Sequence, residues 1–165
     1  MTPNLNKTNL IVAAAFQDAG DATRAIHLAS ALRNNCPPNH SLTITFLSTG
    51  SRLEYLISQA GFPIVHCSPQ TAGISATHDL GWDFPEIFGS KELAQSFIEG
   101  QLAALKELAP DIVLHGMWAP ASLAARMLGI RTISFLPLPV CPEAFGGGMV
   151  KDLPDTVPVL ARLPR

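Results

Sequence analysis

The feature that most constrains this chain is its alternation of short, uninterrupted apolar runs with segments of helical periodicity. "NLIVAAAF", Asn9 to Phe16, is apolar at nearly every position. Such a run suits a strand buried on both faces, as in a parallel sheet. Asp21 to Asn34 then places Ala25, Leu28, Ala29 and Leu32 at helical spacing, until Pro37 and Pro38 forbid continuation. "LTITFLS", Leu42 to Ser48, is a second, β-branched strand. Ser51 to Ala60 gathers Leu53, Leu56, Ile57 and Ala60 on one helical face, and Gly61 is a natural stop. "FPIVHCS" predicts a third strand. Ser90 to Leu108 is helical again, with Leu93, Phe97, Leu102 and Leu105 as core positions. "DIVLHG", Asp111 to Gly116, is a fourth strand; Ala119 to Leu128 is an alanine-rich helix closed by Gly129; "IRTISFLPLP" is a fifth strand running into prolines.

Strands alternating with helices predict an α/β class: a Rossmann-like three-layer domain with a parallel sheet of about five or more strands. Residues 1–140 form that domain in this reading. Residues 141–165 hold Gly146, Gly147 and Gly148 and prolines at 142, 154, 158 and 164, and read as an irregular tail or the start of an interdomain linker. Between the third strand and the next helix, Gln70 to Gly89 shows no period and reads as a long loop.

Composition excludes several classes of function. Charged residues are only 15% of 165 and the net charge is −2, with no basic stripe to attract nucleic acid or an anionic membrane. The apolar run Leu10 to Phe16 is too short to span a bilayer, and no transmembrane segment is expected. Cys36, Cys67 and Cys141 are odd in number and widely spaced, which suits reduced thiols in a cytoplasmic protein. His66 beside Cys67 is only a two-residue set, so no metal site is expected.

In an open parallel sheet, ligands bind at the carboxyl ends of the strands. The first such end is "FQDAGDATRA", Phe16 to Ala25. A dinucleotide fold needs G-x-G-x-x-G here and an acid after the second strand. Gly20 stands alone, and the second strand runs into Ser48, Thr49 and Gly50. A phosphate-binding P-loop is excluded by the absence of G-K-[ST]. That leaves Asp21. It can cap the helix, since aspartate is among the best N-cap residues, or it can be a working carboxylate.

Three stretches carry a resemblance. "AGDATRAIHLASAL" is similar to the first turn and helix of glycosyltransferases with the two-domain GT-B fold, closest to the sterol and antibiotic glucosyltransferase branch, where Gly-Asp-Val-Gln-Pro follows strand one. "AGFPIVHCSP" resembles the family's segment around its third strand. "LAPDIVLHGMWAPASLAARMLGIRTISFLPLP" resembles a later segment in which Pro-Asp opens a strand and an alanine-rich helix follows. The three keep their order over most of residues 9 to 140. Thr23 and Arg24 replace the family's Gln-Pro, Arg131 replaces a proline, and the family's donor-binding C-terminal domain has no counterpart before Arg165.

The resemblance implies a UDP-glycosyltransferase-type hexosyltransferase half, with a small lipophilic alcohol or phenol as acceptor. Asp21 falls on the position of the general base, which takes the acceptor's hydroxyl proton as that oxygen attacks the anomeric carbon with inversion. The nucleotide-sugar donor is a co-substrate held mainly outside this chain, by a C-terminal domain in cis or in trans; no cofactor is implied. Gly20, His115, Trp118, Trp82 and Phe84 are the expected acceptor contacts, with Trp118 stacking on a ring. For four of them a plainer role stands beside this one: a rim pair for His115 and Trp118, and a self-packed surface loop for Trp82 and Phe84. A non-catalytic ligand- or protein-binding module, or an inactive truncated product, remains the alternative to the enzyme half.

Overall fold

A computed structural model describes residues 6–14, 19–70, 91–116 and 118–135. Nine elements follow one another along this stretch: β1 (Asn6–Ala13), α1 (Ala19–Asn34), β2 (His40–Ser48), α2 (Glu54–Gln59), β3 (Ile64–His66), α3 (Lys91–Leu108), β4 (Ile112–His115), α4 (Ala119–Met127) and β5 (Arg131–Ser134). The five strands form one sheet in the order β3-β2-β1-β4-β5, and every pairing is parallel. This is the Rossmann-like arrangement that the alternating pattern predicts.

The apolar strand β1 feeds both faces of the sheet. Leu10, Val12 and Ala14 join a core with Ala22, Ala25 and Ala29 of α1, Phe46, Ile57 and Phe62. Ile11 and Ala13 join the opposite core, with Phe97 and Leu105 of α3 and Ala121, Ala124 and Ala125 of α4. The sheet is therefore the middle of three layers. Alanines on α1 and α4 leave no bulk between helix and strand, so the backbones approach closely. Removing the side chain of a fully buried residue such as Ile11 would cost about 2–5 kcal/mol.

Glycines end two helices as expected. Gly61 has φ 74°, its N–H bonds to Ser58 O, and the Phe62 N–H bonds to Ile57 O. Gly129 has φ 68°, its N–H bonds to Arg126 O, and the Ile130 N–H bonds to Ala125 O. Both are Schellman closures, which satisfy the last carbonyls of a helix and need a left-handed residue. Arg33 adds to the first: it lies 4.2 Å over the Phe62 ring and donates to the carbonyls of Ala60 and Gly61.

The register matters most for the site. Ala13 is level with His115, and His115 with Ser134, so the carboxyl ends of β1, β4 and β5 stand in a row. Asp111 fixes the level of β4 against β1: its carboxylate accepts the Asn9 N–H at 2.7 Å, and its own N–H bonds to Asn9 O at 2.9 Å. The chain builds outward from β1 to β3, then returns to lay β4 on the other side of β1. The crevice between β1 and β4 is thus the topological switch point, where ligands bind in such sheets.

Candidate functional site

Asp21 lies in the first turn of α1, directly beyond the end of β1. The helix begins at Ala19, two residues earlier than the pattern suggests, so Asp21 is its third residue and not its N-cap. The cap lies outside the described residues. A carboxylate inside the first turn still faces the positive end of the helix dipole. Asp21 is only 6% exposed, and Arg24 reaches its Oδ1 at 3.7 Å from the solvent side.

The buried side of the carboxylate meets β4. A Cβ built on Gly116 would stand 3.0 Å from Asp21 Oδ1, 3.3 Å from Oδ2 and 3.3 Å from Cε2 of Phe135. The carboxylate therefore occupies the space beside Gly116 that a side chain there would need. This neighbourhood joins the first turn of α1, the residue after β4 and the residue after β5.

His115 closes the base of the same corner. It is 7% exposed. Its Nδ1 lies 2.7 Å from the Gly116 carbonyl oxygen, and its Nε2 lies 3.0 Å from Ser134 Oγ. A carbonyl can only accept, so Nδ1 carries the hydrogen. In the neutral ring Nε2 then accepts from the Ser134 hydroxyl. Both ring nitrogens are engaged within the protein.

The remaining expected contacts fall in different places. Trp118 is 5% exposed and packs edge-on against Phe97, with ring centroids 5.1 Å apart, in the core beneath α3 and α4. Gly20 is exposed in the first turn of α1. Trp82 and Phe84 lie outside the described residues, as do the prolines after β5 and the tail from 141 to 165. The structure thus brings together Asp21 and His115, through Gly116.

Three neighbours escaped the pattern. Gly116, Ser134 and Phe135 shape the corner, but the fifth strand reads as running on through its prolines, which hides the end of β5 at Ser134. A second cluster lies at the carboxyl ends of β2 and β3. Glu54 accepts the Ser48 hydroxyl at 2.6 Å and the His66 Nε2–H at 2.9 Å, and Ser48 Oγ accepts the Gly50 N–H at 3.1 Å. Six residues separate Ser48 from Glu54 in sequence, so no short motif announces them.

Among the described residues, no group of three or more His, Cys, Asp or Glu could hold a metal ion, and no helix is long and apolar enough to cross a membrane. An apolar groove of about 540 Å³ lies at the other end of the sheet, between the last turn of α1 and the start of β2, remote from Asp21. Cys67 is buried beneath the β3 end, where Gln101 donates to its Sγ at 2.9 Å. Burial pushes its thiol up to about 11, against the smaller opposing effects of backbone and Gln101 hydrogen bonds. It is no nucleophile at neutral pH.

No family model matches the chain, and no curated protein does. Solved structures do. A glycosyltransferase of kitacinnamycin superposes with a TM-score of 0.61 at 19% identity, over 97% of this chain and 37% of its own. CalG4, the calicheamicin glycosyltransferase, does so with 0.53 at 13%, over 80% of this chain and 33% of its own. The chain thus spans about a third of the length of these two transferases. The C-terminal domain of a hydrogenase from Pyrococcus furiosus superposes with 0.51 at 12%, over 81% of this chain and 97% of its own. These likenesses are of fold. The chain has the Rossmann-like α/β fold found in solved glycosyltransferases, in agreement with the resemblance read along residues 9 to 140.

Proposed function

We propose that this chain is the acceptor-binding half of an inverting glycosyltransferase, with Asp21 as its general base. One observation carries the reading. A buried carboxylate stands in the first turn of the helix after β1, at the switch point of the sheet, in the space beside Gly116 that a side chain there would need. The fold shared with the two glycosyltransferases supports it.

The chemistry follows from that placement. A hydroxyl is a poor nucleophile until a positioned base shares its proton. The acceptor, a small lipophilic alcohol or phenol, lies over the carboxyl ends of β1 and β4 with its hydroxyl toward Asp21. The carboxylate takes the proton as the oxygen bonds to the anomeric carbon. The bond to the nucleotide's phosphate breaks on the opposite face, and the configuration inverts. The donor is bound by a second domain, in cis or in trans. Arg24, 3.7 Å away on the open side, steadies the charged form before the proton arrives.

The test is transfer from a nucleotide sugar to a hydroxyl acceptor by the chain together with its donor-binding domain. Asp21→Asn keeps the shape and removes the basicity, and transfer falls by roughly 10²–10⁴. Unchanged transfer would overturn the assignment.

A second reading is a non-catalytic binding module. The hydrogenase domain favours it, because a fold of this kind there belongs to a protein other than a glycosyltransferase. It predicts ligand binding by the isolated chain and no transfer with any donor-binding domain.

A further inference from the structure

We propose that His115 is the positioning residue of this site: with Ser134 it fixes Gly116, and so sets where the Asp21 carboxylate stands. The inference rests on the reading of Asp21 as the base.

Three observations meet here. First, the imidazole has no nitrogen to spare. Nδ1–H donates to the Gly116 carbonyl at 2.7 Å and Nε2 is bonded to Ser134 Oγ at 3.0 Å. A histidine used in this way cannot relay a proton to an acceptor without breaking one of the two bonds. Its work is to hold. Second, what it holds is a residue whose lack of a side chain leaves the carboxylate its room. A methyl group at Gly116 would stand 3.0 Å and 3.3 Å from the two carboxylate oxygens. Gly116 and the Asp21 carboxylate are thus close neighbours, and a displaced Gly116 is expected to change the space the carboxylate occupies. Third, the hold is anchored in the sheet. His115 and Ser134 are register partners on β4 and β5, and the Phe135 N–H bonds to the His115 carbonyl at 2.9 Å. Cε2 of Phe135 would lie 3.3 Å from a Cβ at the same position on Gly116. Strand β5 touches the base through this strut, without contributing a catalytic group.

The plainer role is a clamp between β4 and β5 with no bearing on Asp21. The two differ in what moves when the strut is cut. In the 165-residue chain, long-range proton–nitrogen correlation of the His115 ring is expected to show a protonated Nδ1 and a bare Nε2. Carbon-13 detection of the Asp21 carboxyl, assigned through Asp21→Asn, is expected to show a displaced resonance in His115→Leu. His115→Asn should recover part of that displacement, because its amide nitrogen stands where Nδ1 stood and can still donate to Gly116. Should His115→Leu fail to fold, Ser134→Ala cuts the outer bond at an exposed residue and should displace the same resonance by less. A protonated Nε2 with a bare Nδ1, or an Asp21 resonance unmoved in every folded variant, would overturn the proposal. These readouts need neither donor nor acceptor, so they are independent of whether Asp21→Asn abolishes transfer. In the transfer reaction, His115→Asn should lower kcat by up to roughly 10²-fold with the acceptor KM unchanged, the pattern of a misplaced base. A raised KM at unchanged kcat would mark His115 as a binding residue and overturn it as well.

Discussion

The Asp21 carboxylate faces Gly116 across the switch point of the sheet so closely that a methyl group on that residue would crowd it: a Cβ at Gly116 would lie 3.0 Å from Oδ1 and 3.3 Å from Oδ2. One residue opens α1 and the other follows β4, and the level register of β1 and β4 brings them together.

Gly116→Ala should therefore cost about 1–3 kcal/mol, the usual range for overpacking a tight site. Most of the strain falls on Asp21. A double-mutant cycle with Asp21→Ala should show coupling of at least ~0.5 kcal/mol, because the second change removes the crowded oxygens. Additive losses would mean that Phe135, not Asp21, takes the strain.

Gly100 makes a closer approach. A Cβ there would stand 1.6 Å from the Ser68 carbonyl oxygen and 2.6 Å from its carbon. Both are backbone atoms and cannot rotate away. Gly100→Ala should cost about 3 kcal/mol or more by lifting α3 from the β3 end, read from chemical denaturation. A variant as stable as the parent would mean that α3 sits farther out.

Ala109 joins α3 to β4 with φ 42°, in the left-handed region. A side chain there costs roughly 1–2 kcal/mol relative to an unstrained backbone. Ala109→Gly relieves that cost and gives back part of it as unfolded-state entropy, so a net gain of about 0.5–1 kcal/mol is expected. A loss of stability would contradict the strain.

Cys67 links stability to pH. Its thiol is raised from 9.0 to about 11 in the folded chain, chiefly by burial. Between those values the unfolded chain has lost the proton and the folded chain keeps it. Stability then falls as pH rises through this window, by about 2–3 kcal/mol for a shift of this size. The Cys67→Ala variant should lack this part of the slope. An identical slope in both proteins would place the titration elsewhere.

Much of this was legible from the chain because local pattern and fold agree. β1 reads as a strand buried on both faces because Leu10, Ile11, Val12 and Ala13 leave no polar side, and each is buried on one core or the other. Gly61 and Gly129 mark helix ends because only a left-handed residue closes them as observed. The site was legible only in part. Asp21 stands out beside a lone glycine at a strand end. What it touches does not, since Gly116 reaches it through register and not through sequence proximity. Trp118 reads as a rim residue from its place beside Gly116, yet its ring lies against Phe97 of α3, a contact made in tertiary packing. The strut of His115 and Ser134 was hidden because the prolines after Phe135 blur where β5 stops.

The most direct measurement is the ratio of transfer rates between the parent and Asp21→Asn on two acceptors, an aliphatic alcohol and a phenol. An alcohol gives up its proton reluctantly and depends on the base; a phenol depends on it less. The account predicts a clearly larger loss with the alcohol. An equal loss with both acceptors would mean that Asp21 only supports its helix, and no loss with either would mean that the base lies elsewhere.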